Sequence, residues 1–234
     1  MKPTTLPVLM ILTSHAQLGT TGQPTGIWAE ELTTPYYALL DAGYEIALAS
    51  PLGGTPPFAP GSVKAVPAEN EASVARFLGD ASAQARFNAT LKTADLKAAD
   101  YSAVFLPGGH GTMWDTTGDP ATAALVGDMF KEGKPVAAVC HGPAGLLQAT
   151  GADGKSILLG KRVNAFTNAE ETAAGLMDVV PFHLESKMRE LGGLFESGPL
   201  WGAYAVRDGM LITGQNPASS TLVAQHMVAA LQGS

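Results

Sequence analysis

The sequence predicts an α/β fold, a doubly wound and mostly parallel sheet with helices on both faces, of the flavodoxin-like kind. Apolar runs of strand length alternate with helix-like stretches along the chain, as expected for strand, crossover helix and strand in succession. These runs occupy residues 7–12, 36–40, 46–49, 103–106, 125–130 and 136–139. Because they are apolar throughout rather than at every second position, they indicate strands that are buried on both faces.

Turn residues mark where several elements end. Asp41-Ala42-Gly43 and Lys131-Glu132-Gly133 each indicate a helix that ends in a glycine cap. Arg207-Asp208-Gly209-Met210 lies between two short apolar runs and predicts a hairpin with an Asp-Gly turn. Residues 219–231 predict a closing helix.

The regions without periodicity predict loops near a site. Gly108-Gly109-His110-Gly111 directly follows a predicted strand, at the sheet edge where folds of this class bind ligands. Residues 14–26 and 51–61 are rich in glycine, proline and threonine and are long enough to wall a site. Residues 68–99 are rich in alanine and predict a small inserted helical region. We expect three tryptophans to help close the site: Trp28, Trp114 and Trp201.

Composition excludes several classes of function. The 234 residues contain 21 acidic and 14 basic side chains, a net charge of −7, which disfavours partners such as nucleic acid or an anionic membrane. No apolar run approaches the roughly 18 residues of a membrane helix, and no linker-like tract divides the chain. We therefore expect a single domain over residues 1–234 in the cytoplasm. The one cysteine, Cys140, excludes an internal disulfide and a multi-cysteine zinc site.

Residues 134–145 carry the strongest local signal for chemistry. They predict a buried strand, a sharp turn that bears Cys140 and then the start of a helix, which is a nucleophile elbow with sulfur as the nucleophile. Ala138 and Gly142 supply the small neighbours that such a turn needs. The dipole of the following helix is expected to lower the pKa of the thiol. The alternative is that Cys140 is a buried small apolar residue.

Backbone amides and carboxylates complete the candidate site. The amides of His141 and Gly109 are candidates for an oxyanion hole beside the sulfur. Glu30, which follows the first strand and its loop, is the candidate carboxylate near the sulfur. Either Glu170 or Glu171 could orient the ring of His141, as the acid of a triad does.

Neither a metal site nor a cofactor is expected. Apart from His141, the histidines are scattered without a spacing typical of metal ligands, at positions 15, 110, 183 and 226.

Five motifs together resemble the ThiJ/PfpI superfamily, with its class I glutamine-amidotransferase-like fold, and most closely its branch of heat-shock chaperones and glutathione-independent glyoxalase III proteins. The resemblance extends over nearly the whole chain. Its motifs are Thr25-Gly26 leading to Glu30, residues 107–115, residues 137–144, residues 166–171 and residues 208–219.

The resemblance implies specific roles. It makes Cys140 the nucleophile, His141 the triad histidine and Glu30 the glutamate that faces the sulfur. The triad acid falls on Glu171, with Glu170 as a substitute. It also implies a homodimer and a small aldehyde substrate, without a cofactor.

The implied activity is the conversion of methylglyoxal or glyoxal into lactate or glycolate without glutathione, by a cysteine-dependent lyase of the D-lactate dehydratase class. Cys140 would attack the aldehyde carbon to form a hemithioacetal, and a proton would then move between the two carbons through an enediol. Two alternatives share the same scaffold: a stress-response holding chaperone and a cysteine amidase or peptidase.

Overall fold

The computed structural model describes residues 6–233, so the extreme ends of the predicted domain, residues 1–5 and 234, lie outside the described residues. This part of the chain forms strands and α-helices in alternation over most of its length. The strands are β1 (Val8–Ile11), β2 (Ile46–Ser50), β3 (Leu91–Lys92), β4 (Ala103–Leu106), β5 (Val136–Val139), β6 (Arg162–Val163), β7 (Leu194–Phe195), β8 (Ala205–Asp208) and β9 (Leu211–Gly214). The α-helices are α1 (Ala29–Asp41), α2 (Ala72–Gly79), α3 (Ala81–Phe87), α4 (Pro120–Lys131), α5 (Asn168–Ala173), α6 (Leu184–Glu190) and α7 (Ser220–Leu231).

Seven of the strands form one sheet in the order β3-β2-β1-β4-β5-β9-β8. All neighbours in it are parallel except β8 and β9, which form an antiparallel hairpin. β6 and β7 pair separately as a short parallel ribbon. The predicted doubly wound, mostly parallel sheet is therefore confirmed.

Strand β1 shows why its sequence is apolar at every position. Val8 and Met10 belong to a core that includes residues of α1 and α7, whereas Leu9 and Ile11 belong to a second core that includes residues of α4 and α6. Successive side chains of a strand point to opposite faces, so a sheet that is covered on both sides needs an unbroken apolar run.

Two of the apolar runs are helical. Residues 36–40 lie in α1 and residues 125–130 lie in α4, so neither is a strand. A run of five or six apolar residues fits a buried helix as well as a buried strand, and length alone does not separate the two. The glycine caps predicted at residues 41–43 and 131–133 mark the true ends of these helices, because Gly43 and Gly133 have φ of 93° and 70°.

Two predictions for the carboxyl-terminal part are confirmed. The Asp-Gly turn joins β8 to β9, with Gly209 at φ 63°, and the closing helix is α7. Residues 14–26 and 51–61 contain no helix or strand, only isolated bridges.

Residues 68–99 contain α2, α3 and the edge strand β3, which pairs with β2. Phe77 and Phe87 from these helices are buried and pack against Phe58, whose ring lies 4.6 Å from that of Phe87. This region therefore covers one face of the sheet and extends its edge.

The topology brings the loops of two neighbouring strands together. β4 and β5 lie side by side in the same direction, with Leu106 opposite Ala138, so the segments that follow them emerge at the same sheet edge. α1 begins close by, since the amide of Trp28 donates to the carbonyl of Gly108. Between residues 6 and 233 no helix combines the length and apolar character needed to cross a membrane.

Candidate active site

Cys140 occupies a sharp turn immediately after β5. Its φ is 58°, in the left-handed region that a side chain other than glycine rarely adopts and that costs about 1 kcal/mol or more. Two hydrogen bonds fix this turn: the Cys140 amide donates to the carbonyl of Gly214, and its carbonyl accepts from the amide of Phe166, each at 2.9 Å. The predicted nucleophile elbow is present.

Glycines around the elbow are required by close backbone contacts. A Cβ atom on Gly142 would overlap the carbonyl oxygen of Leu106, and one on Gly108 would lie 2.5 Å from Oε2 of Glu31 and 2.7 Å from the amide nitrogen of His141. The expected need for a small residue at position 142 therefore has a direct steric cause.

Glu171, His141 and the sulfur of Cys140 form a hydrogen-bonded chain. Nδ1 of His141 lies 3.3 Å from Sγ of Cys140, and Nε2 lies 2.7 Å from Oε2 of Glu171 in the first turn of α5. The geometry brings together Cys140, His141 and Glu171 in the order of a catalytic triad. Of the two carboxylates that the sequence left open, Glu171 is the one that contacts the histidine.

Glu170 is engaged elsewhere. Its Oε2 accepts hydrogen bonds from the amide and the hydroxyl of Thr167, and its Oε1 accepts from the amide of Trp201 and from the side chains of Gln215 and Asn216. Trp201, which lines the site, has φ 60° and is therefore strained. The buried carboxylate of Glu170 stabilises this conformation by accepting its amide hydrogen bond. Glu170 is therefore a structural anchor.

The expectation that Glu30 is the carboxylate facing the sulfur is wrong. The carboxyl group that faces the thiol of Cys140 belongs to Glu31, which is fully buried and also faces the backbone amide of Gly108. Glu30 is half-buried and lines a separate surface cleft with Lys64, Glu69 and Glu71. Neighbouring residues of a helix project about 100° apart, so only one of the two glutamates can point at the sulfur.

The carboxyl group of Glu31 is poorly satisfied by the protein. Neither oxygen has a well-aligned hydrogen bond to a donor among residues 6–233. Burial raises its pKa to about 8, and the contacts with Cys140 and Gly108 oppose this only in part. Burial therefore favours the protonated form of Glu31 at neutral pH.

The expected lowering of the Cys140 pKa is wrong. Burial of the thiol and the neighbouring Glu31 raise its pKa well above the ordinary range, and the amides of Gly109 and His141 oppose this without outweighing it. The chain after the elbow forms a five-residue 3₁₀ turn, Gly142–Leu146, rather than an α-helix whose dipole could stabilise a thiolate. Because Cys140 and Glu31 are buried together, they do not both carry a negative charge.

The pKa values of Glu171 and His141 are lowered, whereas the pKa of Glu31 is raised. Burial alone would raise the pKa of Glu171, but hydrogen bonds from His110 and His141 outweigh it and hold the pKa at about 2. Burial is the largest cause that lowers the pKa of His141 to about 4, with a smaller contribution from the neighbouring ring of His110 and against the opposing effect of Glu171. At neutral pH, the histidine is thus an uncharged base beside an ionised carboxylate.

The backbone amides of Gly109 and His141 both face the sulfur. Within residues 6–233, neither amide donates a hydrogen bond to an oxygen of the protein. Gly109 reaches this position with φ 101°, in a turn where a Cβ atom would collide with the backbone of Gly26. Two amides that face one sulfur and have no oxygen acceptor among the described residues have the arrangement of an oxyanion hole.

The sulfur opens into a cavity of about 320 Å³ with mainly apolar walls. Trp28 and Trp201 line this cavity as expected, whereas Trp114 stacks on His15 away from it. The predicted loops at residues 14–26 and 51–61 do not contribute to its lining. The lining residues are Trp28, Glu31, Gly109, His110, Cys140, His141, Phe166, Ala174, Trp201 and Pro217.

His110 is a residue of the site that the sequence did not identify. Its Nε2 lies 2.8 Å from Oε1 of Glu171, and its ring centroid lies 4.0 Å from that of His141. The signal that could have found it is the glycine-rich segment directly after β4. These three residues are of types that also bind metals, with potential ligand atoms within 4.8 Å of one another. Because Glu171 already joins both rings at hydrogen-bond distance, we treat them as an acid–base network.

Comparisons with known proteins agree with this architecture. The family model described as "DJ-1/PfpI family" matches residues 25–230. The protein named "Glyoxalase 3" of Candida albicans is 28% identical over 237 aligned residues, which cover 96% of this chain and 98% of that protein.

Solved structures match the fold over the same extent. The crystal structure of glyoxalase III from Candida albicans has a TM-score of 0.87 at 28% identity and covers 96% of this chain and 97% of its own. The Rapid Encystment Protein 24 kDa of Francisella tularensis has a TM-score of 0.91 at 36% identity and covers 96% of this chain and 98% of its own.

Proposed function

Because the chain belongs to the DJ-1/PfpI family, and because the Candida albicans protein that it matches over 96% of its length is named Glyoxalase 3, we propose that it is a glutathione-independent glyoxalase. The substrates are small 2-oxoaldehydes such as methylglyoxal and glyoxal, and the products are the corresponding 2-hydroxy acids. One observation carries the proposal. A buried thiol at an elbow is contacted by the carboxyl group of Glu31 on one side and by Nδ1 of His141, 3.3 Å away, on the other.

The first step is addition of the sulfur to the aldehyde. Cys140 attacks the aldehyde carbon while its thiol proton moves to Nδ1 of His141, 3.3 Å away. Negative charge develops on the aldehyde oxygen, where the amides of Gly109 and His141 stabilise it. Glu31 then gives its proton to this oxygen. The result is a neutral hemithioacetal, a carboxylate on Glu31 and an imidazolium on His141 that is paired with Glu171.

The second step moves hydrogen between the two carbons. The Glu31 carboxylate removes the proton from the former aldehyde carbon, and the imidazolium of His141 protonates the neighbouring carbonyl oxygen, which gives an enediol. Glu31 then delivers its proton to the second carbon, while His141 takes the proton from the first oxygen. The product is a 2-hydroxyacyl thioester of Cys140, which water must hydrolyse to release the acid.

The direct test measures lactate formation from methylglyoxal without glutathione. The wild type is expected to form lactate, and Cys140→Ser and Cys140→Ala are expected to lose this activity entirely, because neither supplies the sulfur nucleophile. The histidine variant His183→Gln, outside the cavity, controls for handling and should match the wild type. Lactate formation by Cys140→Ala at the wild-type rate would contradict the proposal.

We further propose that the protein is a cytoplasmic homodimer. The chain has one cysteine and depends on it as a free thiol, which suits a reducing compartment. The homodimer rests on the family resemblance. Light scattering during gel filtration should give twice the 24.1 kDa mass of the chain, and a mass of one chain would contradict it.

A further inference from the structure

His110 is held rigidly against the triad by its backbone. It follows Gly109, whose left-handed φ of 101° turns the chain into a short 3₁₀ turn over His110–Met113. The hydroxyl of Thr112 in that turn donates to the carbonyl oxygens of Gly109 and of His141, which ties the turn to the elbow. The ring of His110 is therefore fixed relative to the ring of His141.

Glu171 sets the same tautomer in both histidines. Its Oε1 lies 2.8 Å from Nε2 of His110, and its Oε2 lies 2.7 Å from Nε2 of His141. An ionised carboxylate only accepts hydrogen bonds, so each neutral ring must place its proton on Nε2. Each ring then keeps a lone pair on Nδ1, and Glu171 can stabilise the positive charge when that nitrogen takes up a proton.

The two Nδ1 atoms have different surroundings. That of His141 lies against the sulfur, and the ring is completely buried. That of His110 has no hydrogen-bond partner among residues 6–233, and its side chain lines the cavity and is 21% exposed. One imidazole therefore serves the sulfur, and the other lines the cavity with an Nδ1 atom that no described residue engages.

Resting on the proposed function, we propose that His110 is a second catalytic base, which activates the water that hydrolyses the Cys140 thioester. The water proton moves to Nδ1 of His110, the water oxygen bonds to the thioester carbon and the carbon–sulfur bond breaks. The sulfur takes the proton that His141 carries. The proton on His110 then passes through solvent to the Glu31 carboxylate, which restores the resting enzyme and releases a 2-hydroxy acid.

The test separates formation of the thioester from its hydrolysis. His110→Gln keeps an amide donor for Glu171 but has no base, and His110→Asn is the second variant. After rapid mixing with methylglyoxal and an acid quench, hydroxylamine converts a thioester into a hydroxamate, whereas a hemithioacetal gives none. We expect His110→Gln to accumulate one thioester per Cys140 and to hydrolyse it about 100-fold more slowly than the wild type. Added imidazole should restore hydrolysis.

A second substrate makes the inference independent of glyoxalase activity. An aryl ester, p-nitrophenyl acetate, acylates a thiol directly, so its burst reports acylation of Cys140 and its steady state reports hydrolysis. His110→Gln should keep the burst and lose the steady state. If the wild type forms no lactate and this pattern still appears, the proposed function fails and the role of His110 stands. If the wild type forms lactate and acetyl hydrolysis is unchanged in His110→Gln, the role of His110 is wrong.

Two controls exclude a structural explanation. Cys140 alkylation by iodoacetamide in His110→Gln should match the wild type, which shows that the elbow is intact. His183→Gln, at an exposed histidine outside the cavity whose Nε2 lies 3.1 Å from the carbonyl oxygen of Met177, should hydrolyse the acyl group normally. Hydrolysis at the wild-type rate in both His110 variants, or failure of imidazole to restore it, would overturn the proposal.

Discussion

Two helix starts, those of α1 and α5, each present a pair of adjacent glutamates, and in each pair the second residue faces the sulfur network. Glu31 meets no well-aligned donor, and burial raises its pKa to about 8. Glu171 meets two histidines, which hold its pKa at about 2. Two identical side chains around one cysteine are thus an acid and an anion because their hydrogen-bond donors differ, although both are buried.

Among the substitutions of these glutamates, replacing Glu171 in α5 should have the largest effect on catalysis. Glu171→Gln can no longer hold both histidines in the Nε2-protonated tautomer or stabilise an imidazolium, so we expect kcat/KM for methylglyoxal to fall about 1,000-fold or more. Steady-state lactate formation measures this. A decrease of less than about tenfold would show that the triad acid contributes little.

Glu170→Gln is the matched change in the same helix. It removes the charge that accepts five hydrogen bonds, so we expect a lower Tm and little change in the rate of Cys140 alkylation. A Glu170→Gln variant with normal Tm and an inactive sulfur would reverse the roles assigned to these two residues.

Replacing Glu31 in α1 should have a smaller effect on catalysis. Glu31→Gln cannot shuttle a proton between the two carbons but leaves the elbow and the triad in place, so we expect kcat to fall about 100-fold. Glu30→Gln, one residue earlier and outside the cavity, should retain activity close to that of the wild type. Equal losses in the two variants would contradict the assignment of the sulfur-facing carboxyl to Glu31.

The pH dependence of the free energy of unfolding tests the same comparison. Glu31 has a folded pKa of about 8 against an ordinary 4.5, so between these values the folded state holds a proton that the unfolded state has lost. Stability therefore falls as pH rises through this window, by up to about 1.4 kcal/mol per pH unit. In Glu31→Gln, the free energy of unfolding measured in urea should decrease less between pH 5 and pH 8 than in the wild type. An unchanged slope would contradict the raised pKa of Glu31.

Much of the fold could be predicted because the central strands carry unbroken apolar runs. β1, β2, β4 and β5 follow from their sequences, and the hairpin of β8 and β9 follows from its Asp-Gly turn. The runs in α1 and α4 were ambiguous because short buried helices and strands have similar composition. β3, β6 and β7 contain two residues each, and pairing partners distant in sequence define them.

The site divides in the same way into local and distant parts. Cys140 and His141 could be predicted because the elbow is encoded by small residues and a strand within a dozen positions. Glu31 could not be distinguished from Glu30, since no periodicity fixes which face of the first helical turn is buried. His110 could not be found from spacing, because its partner Glu171 lies 61 residues further along the chain.

The central claim is that the carboxyl group facing Cys140 is protonated at neutral pH while the one facing His141 is ionised. Infrared difference spectroscopy of the wild type against Glu31→Gln measures this directly through the carbonyl stretch of a protonated carboxyl group. We predict that this band is present in the wild type at pH 6, is absent from Glu31→Gln, and disappears as the pH rises through about 8. A wild type without the band at pH 6, or a band that persists in Glu31→Gln, would contradict the account.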